Sequence, residues 1–264
     1  MPHIRSKNVI DLAQLKISCQ HCGARQLCFP YGLDESEVDC LDIIVKQNRP
    51  LNRGEHLFRT EDHFSCIYVV RSGAVKSYVT TESGEEQVTG FHLSGELLGL
   101  DGIYREYHAC SAIALDTTTV CKLPMDLLEE LARRVPPLQH HLLCLMSKEI
   151  HRDEEIMQLL SKKLADERLA SLLCDLADRF VARGYAATEY QLPMSRTDIA
   201  NYLGLALETV SRLFSRFQDE GLLSIDKKMI TIHDLARLQK LAGMASQSDN
   251  TMSLHEKPPL RAQD

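Results

Sequence analysis

The stretch MSRTDIANYLGLALETVSRLFSRFQDEGLL, residues 194–223, decides the fold. Ser195 or Thr197 can accept from the first free amides of a short helix. That helix carries Ile199, Ala200, Tyr202 and Leu203, and Gly204 supplies the backbone freedom needed to end it. A second helix follows, with Val210, Leu213, Phe214 and Phe217 on its buried side, and Gly221 closes it. Leu222–Ile225 and Ile230–Ile232 then flank Asp226-Lys227-Lys228-Met229, which predicts a β-hairpin wing. Any two packed helices could share this shape, so the outward face discriminates. Glu208, Ser211 and Arg212 project opposite the apolar set, three and four residues apart on one face. Arginine can reach guanine bidentately, glutamate can accept from cytosine N4, and serine can take either role. Arg196, Thr209 and Arg216 flank them as candidate phosphate contacts. Arg196, Arg212, Arg216, Lys227 and Lys228 are matched by Asp198, Glu208, Asp219, Glu220 and Asp226. DNA binding is therefore read from the motif and not from net charge.

Upstream, a long helical pattern runs from Leu138 to Leu164. Leu143, Met146, Ile150, Asp153, Met157, Leu160 and Leu164 recur at alternating spacings of three and four. That is a heptad seam with charged flanks, Lys148, Glu149, Arg152, Glu154 and Glu155 among them. It predicts a dimerising coiled coil about 40 Å long. Two dimerised copies would set their second helices about one DNA turn apart, which suits a palindromic operator. Asp153 interrupts the seam. In a symmetric dimer it would face its own copy, where two carboxylates repel.

Before this helix come a short one, Met125–Arg134, and a run of β-type segments. Residues 66–70, 74–80, 87–93, 109–115 and 118–123 are apolar or alternating and bounded by turn residues. Many short strands between turns predict a β-barrel or roll. Leu33–Gln47 opens with acids and a serine and continues with helically spaced Val38, Leu41, Ile44 and Val45.

At the start stands ISCQHCGARQLCFP, residues 17–30, which sets Cys19, Cys22 and Cys28 in a C-x2-C-x5-C pattern. Thiolates are the soft ligands of iron–sulfur clusters and of zinc. Either would need a fourth ligand. On spacing alone, zinc on these cysteines with His21 or another ligand stays open, as does a C-x2-C redox pair lacking its βαβ setting. Cys110 and Cys121, both in predicted strands, are candidates for a distant fourth thiolate. Cys40, Cys66, Cys110, Cys144 and Cys174 mostly occupy apolar patterns and read as small buried residues.

The whole chain has 264 residues, 44% hydrophobic and 25% charged, with a formal net charge of −7 and nine cysteines. This suits one large or two modest globular domains. An odd, scattered cysteine count fits a reducing compartment better than a disulfide framework. No apolar run approaches the roughly 20 residues of a membrane helix, and the first residues lack a signal peptide's apolar core. The expected location is cytoplasmic. No nucleophile–base pair or phosphate-cradling glycine loop argues for an enzyme.

A β-roll, a long dimer helix and a C-terminal winged helix, in that order, resemble the cyclic-AMP receptor protein superfamily. The strings IVKQNRPLNRGEHLF, VVRSGAVKSY, GEEQVTGFHLSGELLGLDGI, LLSKKLADERLA and NYLGLALETVSRLFSRFQDEGLL resemble its oxygen-responsive branch, the fumarate and nitrate reduction regulators (FNR and ANR). The resemblance runs from Ile17 to Gly243. It implies an α+β fold: a cyclic-nucleotide-binding-like β-roll, a long dimerisation helix and a winged helix-turn-helix. The corresponding parts are a cysteine-rich segment at 1–32, the roll at 33–135, the dimer helix at 136–164, the DNA-binding domain at 165–244 and a polar, disordered tail at 245–264.

The resemblance also implies chemistry. A [4Fe–4S] cluster forms without oxygen on residues matching Cys19, Cys22, Cys28 and Cys121, and favours the dimer. Oxygen converts the cluster and weakens the dimer. Glu208, Ser211 and Arg212 match the family's base-reading residues, which implies a TTGAT–N4–ATCAA-like operator. Asp153 matches a carboxylate whose repulsion holds the cluster-free protein monomeric. The hairpin around Ser83-Gly84-Glu85 matches a surface that touches RNA polymerase. Two departures concern the ligands' neighbours: His21 and Gly23 differ from the family's pattern, so the resemblance does not carry the oxygen sensitivity. Nucleotide-binding relatives carry a glutamate and an arginine where this chain has Leu100 and Cys110. A phosphate would lack its main charge partner, so no cyclic nucleotide is expected.

Overall fold

The computed structural model describes residues 18–82 and 84–244. Ser83, the tip of the expected polymerase-contacting hairpin, lies outside the described residues, as do the expected tail at 245–264 and residues 1–17. The cysteine segment is more ordered than a plain loop. It forms two single 3-10 turns, Cys19–His21 and Arg25–Leu27, and buries Ala24 and Phe29.

Helix α1, Glu35–Ile44, starts where the sequence offers a capping box. The Asp34 side chain accepts from the Glu37 amide, and the Glu37 side chain accepts from the Asp34 amide. Eight strands follow: β1 Lys46–Gln47, β2 His56–Phe58, β3 Cys66–Ser72, β4 Ala74–Thr80, β5 Glu86–Leu93, β6 Leu97–Leu98, β7 Ser111–Ala114 and β8 Thr119–Pro124. They form two antiparallel four-stranded sheets, ordered β1-β8-β3-β6 and β2-β7-β4-β5. Tyr68, Val70, Val75, Leu98, Ala112 and Val120 fill the space between them, which makes the expected roll. The two-residue β1 is too short to carry a period and was not anticipated from sequence.

Helix α2, Met125–Arg134, packs on α3, Pro136–Lys162, which begins with proline inside its first turn. The heptad pattern predicted helix to Leu164, but α3 ends earlier. Lys163 and Leu164 are extended, with φ/ψ of −92/147° and −71/165°. The reason lies across the junction. Arg168 donates to the carbonyls of Leu160 at 2.8 Å, Lys163 at 3.0 Å and Leu203 at 3.0 Å. Its guanidinium thus serves as the C-cap that no glycine provides.

Helix α4, Ala165–Val181, opens the C-terminal domain. It is followed by β9 Glu189–Gln191, α5 Arg196–Leu203, α6 Leu207–Asp219, β10 Leu223–Asp226, β11 Met229–Ile232 and α7 Leu235–Leu241. Ser195, not Thr197, caps α5, in a reciprocal box with Asp198. Gly204 takes φ +62° and turns the chain into α6. The wing is a three-stranded sheet, β10-β11-β9. Sequence periodicity missed β9 and α7, each short and recognisable only by what it packs on.

The C-terminal core does not stop at its domain boundary. Ala74, Val88, Phe91, Leu93 and Leu115 of the roll belong to the same buried cluster as Leu169, Leu173, Leu176 and Tyr202. Phe91 and Tyr202 stand 4.9 Å apart between ring centroids. Helix α5 is also stapled to the roll by polar contacts. Lys76 bridges Asp198 at 2.8 Å, Gln87 donates to the Asn201 carbonyl at 2.9 Å, and the Asn201 side chain bonds the backbone of Glu86 and Val88.

Candidate functional site

The first ligand candidate is held by α1. Asp42 accepts from the Cys19 amide at 2.8 Å and from the Ser18 hydroxyl at 2.5 Å. Gln20 reaches Asp39 at 2.7 Å on the same helix. Phe29, fully buried beside Cys28, anchors the far end of the segment. The distant candidate comes from the middle of a sheet: Cys121 on β8 stands in register with Gln47 on β1 and Val69 on β3.

These two segments meet. Cys19, Cys22, Cys28 and Cys121 line one pocket, with Ala24, Phe29, Leu41, Val69 and Leu123 as apolar walls and Arg25 and Arg71 as its cations. All four are free thiols. Burial pushes the Cys19 and Cys28 thiols above their ordinary range, and Asp42 adds to the rise at Cys19. Burial pushes Cys121 up to about 11. Each therefore carries its proton in the free chain and would release it on ligating iron. Among the described residues, no three His, Cys, Asp or Glu side chains converge on a single ion-sized point. The thiols stand around the walls of the pocket instead. Soft, half-buried, apolar-walled thiols from two segments are a donor set that fits an iron–sulfur cluster.

His21 is exposed and does not line this pocket. Cys110 does not line it either: its sulfur donates to Asp101 at 3.4 Å beside a different cavity. Cys174 is buried as expected, but Cys40 and Cys144 are exposed, correcting the reading of them as buried residues. Both sit on helix faces that the apolar pattern alone did not orient.

The cysteine segment touches the long helix directly. His141 of α3 donates from Nε2 to the Cys28 carbonyl at 3.2 Å, and burial holds its pKa below the ordinary value. Further along α3, Leu143, Ile150 and Met157 are 58%, 61% and 62% exposed. Asp153 is exposed as well, and Met146 and Leu160 are half-buried. The anticipated seam is thus an uncovered apolar stripe at seven-residue intervals. Covering such side chains is worth about 1.5–3 kcal/mol each.

On α6, Glu208 and Arg212 are exposed, and Thr209 and Ser211 are half-buried beside them. Val210, Leu213, Phe214 and Phe217 are buried on the opposite side. Arg196 at the start of α5 lies with its guanidinium 5.2 Å from the Phe214 ring centre and borders the same surface. Arg216 is less available than expected: it pairs with Asp166 of α4 at 2.8 Å and with Glu220 at 3.6 Å. Two structural residues escaped the sequence reading. Asp42 and His141 sit in unremarkable helical positions, and only their partners reveal them.

The roll also holds a cavity of about 200 Å³ against α3. Ser77, Thr89, His92, Asp101, Cys110, Glu149, Arg152 and Asp153 are among its walls. Arg152, its one arginine, is engaged by Glu96 at 3.5 Å and by the Phe91 carbonyl at 3.1 Å. Burial pushes the His92 pKa down to about 4, so this imidazole is neutral.

Comparison with known proteins agrees with this architecture. Residues 48–135 match the cyclic nucleotide-binding domain family and residues 167–241 the Crp-like helix-turn-helix domain family. The chain is 49% identical over 240 residues to the transcriptional activator protein FnrA of Stutzerimonas stutzeri, covering 91% of this chain and 98% of the relative. It is 51% identical over 225 residues to the transcriptional activator protein Anr of Pseudomonas aeruginosa, covering 85% and 92%. It is 47% identical over 232 residues to the fumarate and nitrate reduction regulatory protein of Vibrio cholerae, covering 88% and 93%. Among solved structures, FixK2 from Bradyrhizobium japonicum superposes with a TM-score of 0.69 at 31% identity, covering 75% of this chain and 97% of that one. The relatives are named as transcription regulators, and α5 and α6 lie within the residues matched to the Crp-like helix-turn-helix domain. By its two domains and by these identities, the chain belongs to the fumarate and nitrate reduction (FNR/ANR) branch of the Crp/Fnr superfamily of DNA-binding transcription regulators.

Proposed function

We propose that this regulator answers to oxygen through a [4Fe–4S] cluster held by Cys19, Cys22, Cys28 and Cys121, and that it controls genes of anaerobic metabolism. One observation carries the reading: four free thiols, three from one segment and one from β8, line a single apolar pocket. When bound, the cluster supplies a centre that oxygen can convert. The protein's own residues do the rest. The thiolates tie residues 19–28 to β8, Asp42 holds the entry of that segment, and the His141 contact connects Cys28 to α3.

The exposed seam of α3 supports a homodimer. Its two α6 helices would read a TTGAT–N4–ATCAA-like palindrome through Glu208, Ser211 and Arg212. Arg196, Thr209 and, once released from Asp166, Arg216 would contact phosphates. RNA polymerase is the further partner, met by the roll's surface hairpin, and the site of action is the cytoplasm. A cyclic nucleotide is not part of this mechanism: the one arginine lining the roll's cavity is already paired with Glu96, and His92 there is neutral. No helix among the described residues is long and apolar enough to cross a membrane.

Anaerobic purification followed by iron, sulfide and zinc assays tests this reading. The expected result is iron and sulfide in near-equal amounts, with a visible absorption band that changes on exposure to air. Stoichiometric zinc without sulfide would overturn it. The dimer switch has its own test. Burial raises the Asp153 carboxyl above its ordinary range, against the pull of Arg152. In a dimer the carboxylate would face its copy, and protonation would relieve the repulsion, so dimerisation should strengthen as pH falls. Asp153→Ala is expected to tighten dimerisation of the cluster-free chain by roughly tenfold in sedimentation. A variant that stays as monomeric as the parent in air would refute the repulsion.

A further inference from the structure

Between β5 and β6 the chain turns at Leu93-Ser94-Gly95-Glu96, and this turn has two loaded sides. On one side lies the cysteine segment. Gly95 has φ +88°, and a Cβ built there would stand 2.7 Å from Leu27 Cβ, so the segment rests against the bare glycine backbone. On the other side Glu96 collects three arginines, one on α3, one on α4 and one just past α4. Arg179 of α4 binds it bidentately, at 2.6 and 3.0 Å. Arg183, just past α4, reaches it at 2.6 Å, and Arg152 of α3 at 3.5 Å. The same guanidiniums also hold the turn's backbone. Arg179 donates to the Phe91 carbonyl at 2.6 Å, Arg152 to the same carbonyl at 3.1 Å, and Arg183 to the Ser94 carbonyl at 2.7 Å.

All four side chains are at most 18% exposed. Burial disfavours the charged carboxylate, but Arg179, Arg152 and Arg183 outweigh it and hold Glu96 well below the usual carboxylate range. Among the described residues, Asp175 is the only other carboxylate in salt-bridge contact with this group, through Arg179 at 3.0 Å, while Glu149 and Asp153 feel the charge of Arg152. Without Glu96, three cations from α3 and α4 would crowd one another in a poorly solvated space. The arrangement therefore fixes the orientation of α4 against α3 only while the carboxylate is present.

We propose that Glu96 is the positioning residue that sets the DNA-binding domain relative to the dimer helix, and that the 93–96 turn is the seat shared with the cysteine segment. This goes beyond the proposed route from Cys28 to α3, because it acts on the placement of the reading helices and not on dimerisation. Each α6 is built within its own domain and reads a half-site alone. Only the pair must be correctly spaced and oriented, and that depends on how α4 leaves α3.

The test measures binding of the full chain to a duplex carrying the palindrome and to a duplex carrying one half-site. Glu96→Gln keeps the side chain's shape and removes its charge. Palindrome affinity is expected to fall roughly tenfold or more, with half-site affinity, iron content and dimer fraction within twofold of the parent. Glu96→Asp should fall between the two. Equal losses on both duplexes, or no loss on either, would overturn the proposal. So would a loss explained by the dimer fraction alone. Arg179→Lys retains the charge but loses the bidentate grip, and serves as the second variant if Glu96→Gln does not fold. Absence of iron and sulfide from the parent protein would sink the cluster reading separately, since the palindrome-to-half-site ratio is measurable in whichever form binds DNA.

Discussion

Cys121→Ser is expected to abolish cluster retention while leaving the roll folded. A serine hydroxyl is a hard, weakly acidic donor and a poor substitute for thiolate on iron. Its position makes the loss larger than one ligand in four suggests. Cys19, Cys22 and Cys28 belong to a single short segment, whereas Cys121 is the only one of the four pocket thiols carried by the sheet. Without it, no ligand from the sheet would hold the segment's cluster against the roll. The fold should persist, because β8 is held by backbone pairing to β1 and β3, and the exchange is nearly isosteric. Iron and sulfide per chain after anaerobic purification should drop by roughly tenfold or more, as expected for a lost cluster ligand. Cys110→Ser is the matched comparison. Its sulfur serves Asp101 beside another cavity, so cluster content should not change. The reverse pattern would overturn the ligand set.

Arg212→Ala is expected to cost about 1–3 kcal/mol per half-site, and a dimer on a palindrome loses both contacts. Affinity for the operator should fall by at least tenfold, with much less change on a scrambled duplex. The variant should fold normally, because Arg212 is exposed and the packing of α6 rests on Val210, Leu213, Phe214 and Phe217. Glu208→Ala should act differently. It removes an acceptor and a negative charge, so operator choice should relax more than overall affinity falls. Arg216→Ala should cost less than Arg212→Ala, since its guanidinium must first leave Asp166. Fluorescence anisotropy on operator and scrambled duplexes at fixed salt reads all three. An Arg212→Ala loss that is equal on both duplexes would mean a phosphate contact and not a base contact.

Helices α5 and α6 and the β10-β11 hairpin were legible because their local signals agree. Ser195 caps, Gly204 turns, and the apolar residues of α6 recur at helical spacing, so chain-local rules suffice. The seam of α3 was legible for the same reason, apart from its last turn. There Arg168, a residue of the next helix, ends α3 before Leu164. The two-residue β1 and the three-residue β9 carry no period of their own. They exist as strands because a neighbour supplies the ladder.

The cysteine set shows the same division. Residues 17–30 show three closely spaced cysteines, since that spacing is local. From the residues alone, Cys110 and Cys121 were both open as the fourth, and only the resemblance favoured one. The fold separates them. Both stand in or beside strands of one roll, but Cys121 lines the cysteine pocket and Cys110 turns to Asp101.

Glu96 is the clearest case of information that no local reading holds. In sequence it is one more acid after a turn glycine. Its role comes from arginines 56, 83 and 87 positions away. Sequence by itself determined most of the helices and the longer strands, and which side chains of α6 face outward, because those properties depend on neighbours two to four residues apart. Tertiary structure alone decided which distant thiol lines the pocket of Cys19, Cys22 and Cys28, and which carboxylate of the roll pairs with arginines of α3 and α4, because such groupings are made by partners the chain brings back from far away.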